Sequence, residues 1–247
     1  MTSPLQGRIA VVTGASRGIG YATAKAFGLA GAHVIAIART KGGLEELDDE
    51  IREGGGEATL VPLDLKDGEG IDRLGGAIYE RWGKLDILVG NAGLLGHLAP
   101  LSHHAPQTFD DLIAVNITAN WRLLRSLDPL LRQSDAGRVI FMTAAESFDA
   151  RPFWGAYAAT KAALNTLALT YAKESAHTSV CTMLFDPGPV ATQLRARAMP
   201  GENKETLTRP QDLTEDLIRL ASAECVENGL LWDFANQTFR EILPQSY

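Results

Sequence analysis

Tyr157 and Lys161 stand four residues apart in the run YAATK. In an α-helix this spacing places two side chains one turn apart on the same face. A phenol has a pKa of about 10, and a nearby ammonium group favours its ionised form, so the pair could exchange a proton closer to neutral pH than tyrosine alone. The same spacing also occurs where an aromatic core residue lies beside a surface lysine. The interpretation therefore depends on the elements that position the pair.

A glycine-rich turn precedes the first helical stretch of the chain. Residues 13–20 read TGASRGIG, after the β-branched run 8–13 and before an alanine-rich stretch that continues to Ala30. A strand, a glycine turn and a helix together present backbone N–H groups and a helix N-terminus to a phosphate. Glycine-rich turns also arise for structural reasons alone, and the spacing G-x-x-x-G-x-G differs from the G-x-G-x-x-G fingerprint. The turn is a candidate phosphate site.

Two arginines lie near that turn. Arg39 follows the predicted strand 33–38, about twenty residues after the turn, where dinucleotide sites place the group that contacts the adenosine ribose. Arg17 lies within the turn itself. Guanidinium groups suit a 2′-phosphate and offer little to a free hydroxyl, although both could be ordinary surface arginines. We therefore expect NADP(H) to be favoured over NAD(H).

Strand-like and helix-like segments alternate along the whole chain, with no linker or low-complexity break. We therefore expect a single α/β domain over residues 1–247, with a doubly wound parallel sheet of about seven strands and helices on both faces. In such a sheet the special loops gather at the carboxyl ends of the strands. The predicted strands cover residues 8–13, 33–38, 58–63, 85–89, 138–142, 178–185 and 230–234. The first predicted helix follows the glycine turn and ends at Ala30. The later predicted helices cover residues 43–53, 67–82, 107–133, 155–176 and 212–222.

Composition and charge argue against several classes of function. The net charge is -7, and nucleic-acid binding needs a basic face, so no nucleic-acid partner is expected. No uncharged apolar run reaches the roughly 18 residues of a membrane span, and the first residues lack a signal-peptide pattern, so we expect no membrane partner and a cytoplasmic location. Cys181 and Cys225 match no metal or redox spacing. His97, His103 and His104 lack acidic or cysteine partners at ligand spacing, so no metal is expected.

Taken together, the motifs resemble those of the short-chain dehydrogenase/reductase family over essentially the whole chain. Each motif is weak alone, but their joint order and spacing are specific. The resemblance implies a single-domain Rossmann fold and hydride transfer between a nicotinamide cofactor and a small carbonyl or alcohol substrate. The matching motifs are TGASRGIG at 13–20, Asp64-Leu65, NAG at 91–93, Asn116, YAATK at 157–161 and PGPVAT at 187–192.

The resemblance also implies a role for each matching residue. Tyr157 would be the general acid/base, and Lys161 would bind the nicotinamide ribose and lower the pKa of the tyrosine. Asn116 would support a water-linked proton path to Lys161 and distort its own helix locally. The glycine turn would hold the pyrophosphate, and Asp64 and Leu65 the adenine. The full cofactor-binding set would be Gly14, Ser16, Arg17, Gly18, Ile19, Gly20, Arg39, Asp64, Leu65, Asn91, Ala92, Gly93, Tyr157, Lys161, Pro187, Gly188, Val190 and Thr192.

One position departs from the family pattern. The family's fourth catalytic member is a serine at the end of the fifth strand, and Ala144 occupies that position here. The sequence therefore lacks the usual hydroxyl that contacts the substrate oxygen. Ser147 lies three residues downstream, in a loop where its direction cannot be read. Gly90 and Asp186 stand where the family often has asparagine, which we regard as ordinary drift.

We expect an NADP(H)-dependent carbonyl or alcohol oxidoreductase that is slow or altered because the serine is absent. The alternative is a catalytically impaired NADP(H)-binding protein with a sensing or scaffolding role, which Ala144 favours and the intact Asn116, Tyr157 and Lys161 oppose. The substrate is expected among loops 94–106, 145–155 and 189–211. Arg195 and Arg197 could meet an anionic substrate there or could be solvated surface. Candidates for an apolar wall, which could equally be packing residues, are Phe148, Phe153, Trp154, Leu194 and Met199.

The predicted helices 107–133 and 155–176 are longer than one sheet needs. Leu123, Leu127, Leu164 and Leu167 recur at helical spacing along them. The family resemblance implies that these helices pair between subunits, which predicts a homodimer or homotetramer. The alternative is that both helices only cover the sheet of one subunit.

Overall fold

The protein, described from residue 3 to residue 242 by a computed structural model, contains an eight-stranded sheet flanked by helices. The strands lie in the order β3-β2-β1-β4-β5-β6-β7-β8. The strands are β1 (Ile9–Thr13), β2 (His33–Ala38), β3 (Glu57–Pro62), β4 (Ile87–Gly90), β5 (Arg138–Met142), β6 (Cys181–Asp186), β7 (Leu230–Asp233) and β8 (Thr238–Arg240). The helices are α1 (Gly18–Leu29), α2 (Lys41–Glu53), α3 (Gly68–Trp82), α4 (Pro106–Ile113), α5 (Ala119–Leu131), α6 (Gly155–Glu174), α7 (Gln193–Ala198) and α8 (Thr214–Ala221).

The central strands are buried on both faces, as their continuous apolar runs predict. All residues of β1, β4 and β5 are buried. A parallel sheet needs covering helices on each side, and each face of the sheet has its own apolar cluster. One cluster joins Phe27 of α1 and Leu44 of α2 to the sheet, and the other joins Leu123 of α5 and Leu164 of α6 to it. The predicted α/β fold with helices on both faces is therefore confirmed.

The edge strand β8 was not predicted. Seven strands run parallel, as the sequence indicates, and β8 adds an antiparallel partner to β7. The strand has only three residues, Thr238–Arg240, which are too few to give an alternating strand pattern. The turn before it depends on side-chain contacts that are not visible in the sequence pattern, since Asn236 donates from its backbone N to Asp233 Oδ1 at 3.2 Å.

The predicted helix 107–133 is interrupted by a π-helical turn over residues 114–118. Asn116 lies inside this turn, is fully buried, and uses its side chain to bond the backbone of Leu94. Asn120 donates through Nδ2 to the freed carbonyl oxygen of Asn116 at 2.9 Å. The local distortion expected around Asn116 is therefore present.

Three of the four leucines that suggested helix pairing between subunits pack inside this one. Leu123, Leu127 and Leu164 are almost fully buried against the sheet, and only Leu167 is partly exposed. The outward face of α5 instead presents Trp121, with 45% of its surface exposed. No helix between residues 3 and 242 combines the length and apolar character needed to cross a bilayer.

Candidate active site

The carboxyl ends of the parallel strands open into one cavity of about 980 Å³. The loops after β1, β2, β4, β5 and β6 all contribute to its walls, together with α6. Two of the predicted site residues, Gly20 and Asn116, do not line it. The predicted residues that do are Gly14, Ser16, Arg17, Gly18, Ile19, Arg39, Asp64, Leu65, Asn91, Ala92, Gly93, Tyr157, Lys161, Pro187, Gly188, Val190 and Thr192.

The glycine turn is held against the end of β4. Thr13 Oγ1 accepts hydrogen bonds from the backbone N–H groups of Asn91 and Ala92, both at 3.0 Å, and Asn91 Nδ2 donates to the carbonyl oxygen of Thr13 at 2.8 Å. Gly14 has a φ of 69°, in the region that favours glycine. A Cβ on Gly20 would lie 2.4 Å from the carbonyl oxygen of Gly14. Gly20 therefore keeps the turn closed and does not itself face the cavity.

The two arginines predicted to meet a 2′-phosphate lie at one end of this cavity. Arg39 is 58% exposed and approaches Asp64 only loosely, with Nη1 3.9 Å from Oδ2. Arg17 is exposed and makes no ion pair within residues 3–242. Both guanidinium groups are therefore accessible to an anionic ligand in the cavity.

Tyr157 and Lys161 lie on the first turns of α6 and are both buried, with 7% and 4% of their surfaces exposed. Lys161 Nζ donates to the carbonyl oxygen of Met142 at 2.7 Å and lies 5.9 Å from the centroid of the tyrosine ring. Burial lowers the pKa of Lys161 to about 8. Burial raises the pKa of Tyr157, and the carboxylates of Glu146 and Asp186 raise it further.

The raised pKa of Tyr157 differs from the lower value that the spacing of the pair predicts, and burial is the main cause. That the charge of Lys161 favours the phenolate stays a prediction. The sequence places the two side chains on one helix face but does not show the burial that disfavours the phenolate. Nor does it show that the lysine ammonium hydrogen-bonds the end of β5. In the described protein the phenol of Tyr157 is held in its protonated form.

Asn116 connects α6 to the loop after β4. Its Oδ1 accepts from the N–H of Leu94 at 2.8 Å, and its Nδ2 donates to the carbonyl oxygen of Leu94 at 2.9 Å. The same Nδ2 contacts Thr160 Oγ1 at 2.9 Å, and Thr160 in turn bonds the carbonyl oxygen of Tyr157. Asn116 therefore acts on the cavity by fixing the backbone of Leu94 and the start of α6.

Ala144 lines the cavity and packs in a small apolar cluster with Tyr157. Ser147 does not replace the missing serine, because it does not line the cavity and its hydroxyl is already engaged. Ser147 Oγ donates to the carbonyl oxygen of Ala144 at 2.7 Å and accepts from Asn165 Nδ2 at 2.9 Å. Thr143 donates to Asn165 Oδ1 in the same group. The hydroxyls of this loop thus stabilise its turn.

The expected apolar wall is present only in part. Trp154 packs edge-on to Tyr157, with ring centroids 6.1 Å apart, and Leu194 joins the same cluster. Phe148, Phe153 and Met199 are exposed and do not line the cavity. Their apolar character alone could not show on which side of their loops they lie.

Several cavity residues were not singled out as site residues from the sequence. Glu146 and Arg151 lie in the loop after β5, and Arg209 lies in the turn before α8. Glu146 has only 13% of its side chain exposed, while Arg209 is largely exposed and pairs with Asp212. The available signal for Glu146 was an acidic residue two positions after Ala144, in a loop at a carboxyl strand end.

A family model described as short chain dehydrogenase matches residues 8–203. The chain belongs to the short-chain dehydrogenase family. Among curated proteins, this short-chain dehydrogenase is 34% identical over 212 residues to the uncharacterized oxidoreductase YciK of Escherichia coli K12, covering 85% of this chain and 84% of that protein. The resemblance seen in the motifs is therefore confirmed.

Solved structures of other short-chain dehydrogenases share the fold throughout. A Shigella flexneri 2a protein described as a short chain dehydrogenase, solved in complex with NADP, has a TM-score of 0.89 and 32% identity, covering 94% of this chain and 98% of that one. A counterpart from Escherichia coli CFT073, solved with NADPH, has a TM-score of 0.88 and 32% identity, with the same coverage. These similarities extend over most of both chains.

Proposed function

We propose that this short-chain dehydrogenase uses NADP(H) to transfer hydride between the nicotinamide and a carbonyl or alcohol substrate. The observation that carries the proposal is the single cavity that joins the glycine turn and its arginines to Tyr157 and Lys161. The solved relatives that hold NADP or NADPH support it, because they share this fold at 32% identity. The unusual feature of the site is Ala144.

The residues at one end of the cavity fit a phosphorylated dinucleotide. Gly18 has a φ of 59°, and a Cβ there would lie 3.4 Å from Thr192 Cγ2, so the turn and the segment after β6 approach closely. The N-terminus of α1 faces this narrow region and favours an anion. Arg17 and Arg39 would hold the 2′-phosphate, and Thr192 the pyrophosphate.

The chemistry at the other end would centre on Tyr157. Bound NADPH supplies the hydride to the carbonyl carbon of the substrate. Tyr157 donates its phenolic proton to the carbonyl oxygen, and its raised pKa keeps that proton in place at neutral pH. Lys161, with a pKa lowered to about 8, offers a positive charge that offsets the phenolate when the proton leaves. Trp154 and Leu194 pack beside Tyr157 and would help to exclude water from this end.

The absent serine is expected to slow the reaction. A hydroxyl at position 144 would donate to the substrate oxygen as negative charge develops on it, and losing one such donor costs on the order of 10²–10³ in turnover. Ser147 is engaged with Ala144 and Asn165 and does not substitute.

The test measures the oxidation of NADPH, through the loss of NADPH absorbance, in the presence of a panel of aldehydes and ketones. Turnover that disappears in Tyr157→Phe supports the proposal. A parallel NADPH titration measures binding without chemistry. Turnover that survives in Tyr157→Phe would place the chemistry at another residue.

A second candidate function is NADP(H) binding without catalysis, for sensing or scaffolding. Ala144 favours it, because the apolar side chain stands where the family has its serine. Saturable NADPH binding with no turnover of any carbonyl, even after Ala144→Ser, would support this second function.

We also propose that the protein forms a homodimer or homotetramer through α4, α5 and α6. The exposed Trp121 on α5 supports this, because a large aromatic side chain on an outward helix face is typical of an interface. Sedimentation should show an assembly that Trp121→Glu dissociates, while a monomer in the unmodified protein would contradict the proposal. A cytoplasmic location stays a prediction that cell fractionation tests.

A further inference from the structure

Glu146 is a partly buried carboxylate that the protein holds only loosely. It follows β5, in a short helical turn over residues 145–147, and lines the cavity. Its closest ion pair joins Oε1 to Nη1 of Arg151 at 3.8 Å, and the side chain is only 13% exposed. Within residues 3–242 no side chain or backbone group donates a hydrogen bond to it. The carboxylate oxygens are therefore open to the cavity and free to accept a hydrogen bond from a ligand there.

Glu146 is linked to Tyr157, at the reacting end of the cavity, through Arg151 and Trp154. Arg151, which pairs with it, lies 6.0 Å from the ring centroid of Trp154, and Trp154 packs edge-on to Tyr157. Burial is the main cause of the raised pKa of Tyr157, and the charge of Glu146 raises this pKa further. Glu146 and Tyr157 also line the same cavity, so a substrate at Tyr157 shares this space with the carboxylate.

The surroundings of Glu146 select the kind of group that it can accept. Arg151 pairs with it, whereas Arg195 on α7 is held by two hydrogen bonds to Glu202. A cationic amine on the substrate would meet the guanidinium of Arg151, whereas a neutral hydroxyl would not. A hydroxyl donating to the carboxylate would form a charge-assisted hydrogen bond without adding another charge.

We propose that Glu146 anchors the substrate by accepting a hydrogen bond from a hydroxyl group next to the reacting carbonyl. The substrate class is then hydroxyketones or hydroxyaldehydes, in preference to plain carbonyl compounds. Glu146 would hold the substrate at a site where Ala144 no longer contacts its carbonyl oxygen. This inference rests on the proposed function of the cavity, and its test separates the two.

The test compares 2-hydroxycyclohexanone with cyclohexanone, which differ only in the neighbouring hydroxyl. The quantity is the ratio of their kcat/KM values with NADPH, in the wild-type protein, Glu146→Gln and Asp149→Asn. Asp149 is a matched control, because it also pairs with Arg151, at 3.4 Å, but is exposed and does not line the cavity. A second measurement determines the Kd of both ketones for Tyr157→Phe loaded with NADP⁺, where turnover is blocked, with and without Glu146→Gln.

The wild-type protein should prefer the hydroxyketone about ten- to a hundredfold, since that is the range for a hydrogen bond to a charged group. Glu146→Gln should remove most of this preference in both kcat/KM and Kd, whereas Asp149→Asn should retain it. An equal loss for both ketones in Glu146→Gln would overturn the inference, because it would mean a purely structural role. So would a wild-type protein that shows no preference, or tighter binding of 2-aminocyclohexanone than of the hydroxyketone.

The two proposals fail in different ways. Turnover of both ketones at equal kcat/KM would leave the proposed function intact and overturn the role of Glu146. Glu146-dependent binding of the hydroxyketone with no turnover in the wild-type protein would support the anchor and overturn hydride transfer. Binding of neither ketone to the NADP⁺-loaded protein would overturn the anchor.

Discussion

Lys161 Nζ hydrogen-bonds the carbonyl oxygen of Met142 at 2.7 Å, at the last residue of β5. This contact directs the ammonium group toward the strand end and leaves it 5.9 Å from the centroid of the Tyr157 ring. The lysine is therefore part of the wall on which the nicotinamide ribose would lie.

The burial of Lys161 should make the free energy of unfolding of the cofactor-free protein depend on pH. Because burial lowers its pKa to about 8, the folded protein loses this proton at a lower pH than the unfolded chain. Below about pH 8 the folded protein bears the full free-energy cost of burying the charged ammonium group. This cost falls as the pH rises from about 8 toward the ordinary pKa of lysine. Lys161→Met should therefore gain stability relative to wild type at pH 7, and this gain should shrink by pH 10.

The measurement is the free energy of unfolding of both proteins at the two pH values. Lys25→Met is the control, because Lys25 is about 41% exposed in a surface pair with Glu50 and should give a difference with little pH dependence. A Lys161→Met difference that stays constant from pH 7 to pH 10 would contradict the prediction.

Glu146→Gln should lower the pKa of Tyr157. The carboxylate of Glu146 disfavours the phenolate and raises this pKa, so its removal acts in the opposite direction. The alkaline loss of carbonyl reduction, which reports deprotonation of the phenol, should move to lower pH. The pH profiles of kcat for wild type and Glu146→Gln measure this shift, and identical alkaline limbs would show that the charge does not reach the phenol.

Ala144→Ser should raise kcat by about tenfold or more, with a smaller change in KM. The added hydroxyl would donate to the substrate oxygen mainly as charge develops, which lowers the barrier more than it improves binding. Ser147→Ala should change kcat little, because Ser147 bonds Ala144 and Asn165. Steady-state kinetics of the two variants test this prediction. A large loss of kcat in Ser147→Ala alone would show that Ser147 already donates a hydrogen bond to the substrate.

Arg39→Asp should reverse the preference for NADPH over NADH. Arg39 lines the cavity and is held only loosely by Asp64, so its guanidinium is available to a 2′-phosphate. A charge-assisted contact contributes roughly 1.5–3 kcal/mol, which is about ten- to a hundredfold in Kd. Fluorescence titrations with both cofactors measure these Kd values. Arg52→Asp makes the same charge change on α2 away from the cavity and should leave both Kd values unchanged, while equal NADPH and NADH affinities in the wild-type protein would argue against the role of Arg39.

The sequence by itself determined the order of the elements and the positions of the chemistry-bearing loops. The apolar runs that form β1 and β5 are continuous enough to identify buried strands, and parallel strands bring their carboxyl ends to one edge. That rule alone places Gly14, Arg39 and Asn91 together. It also places Ala144 at the end of β5, since this depends only on chain order and strand direction.

Only the tertiary structure decided where the side chains of the following loop point. Ser147 and Glu146 are adjacent in the chain, yet the turn at 145–147 buries the serine hydroxyl behind Ala144 and leaves the carboxylate in the cavity. Ser147 is held by Asn165 of α6, eighteen residues away, whereas Glu146 pairs only loosely with Arg151 of its own loop. The pKa values of Tyr157 and Lys161 depend on tertiary structure for the same reason, because desolvation arises from the atoms packed around a group and not from its neighbours in sequence.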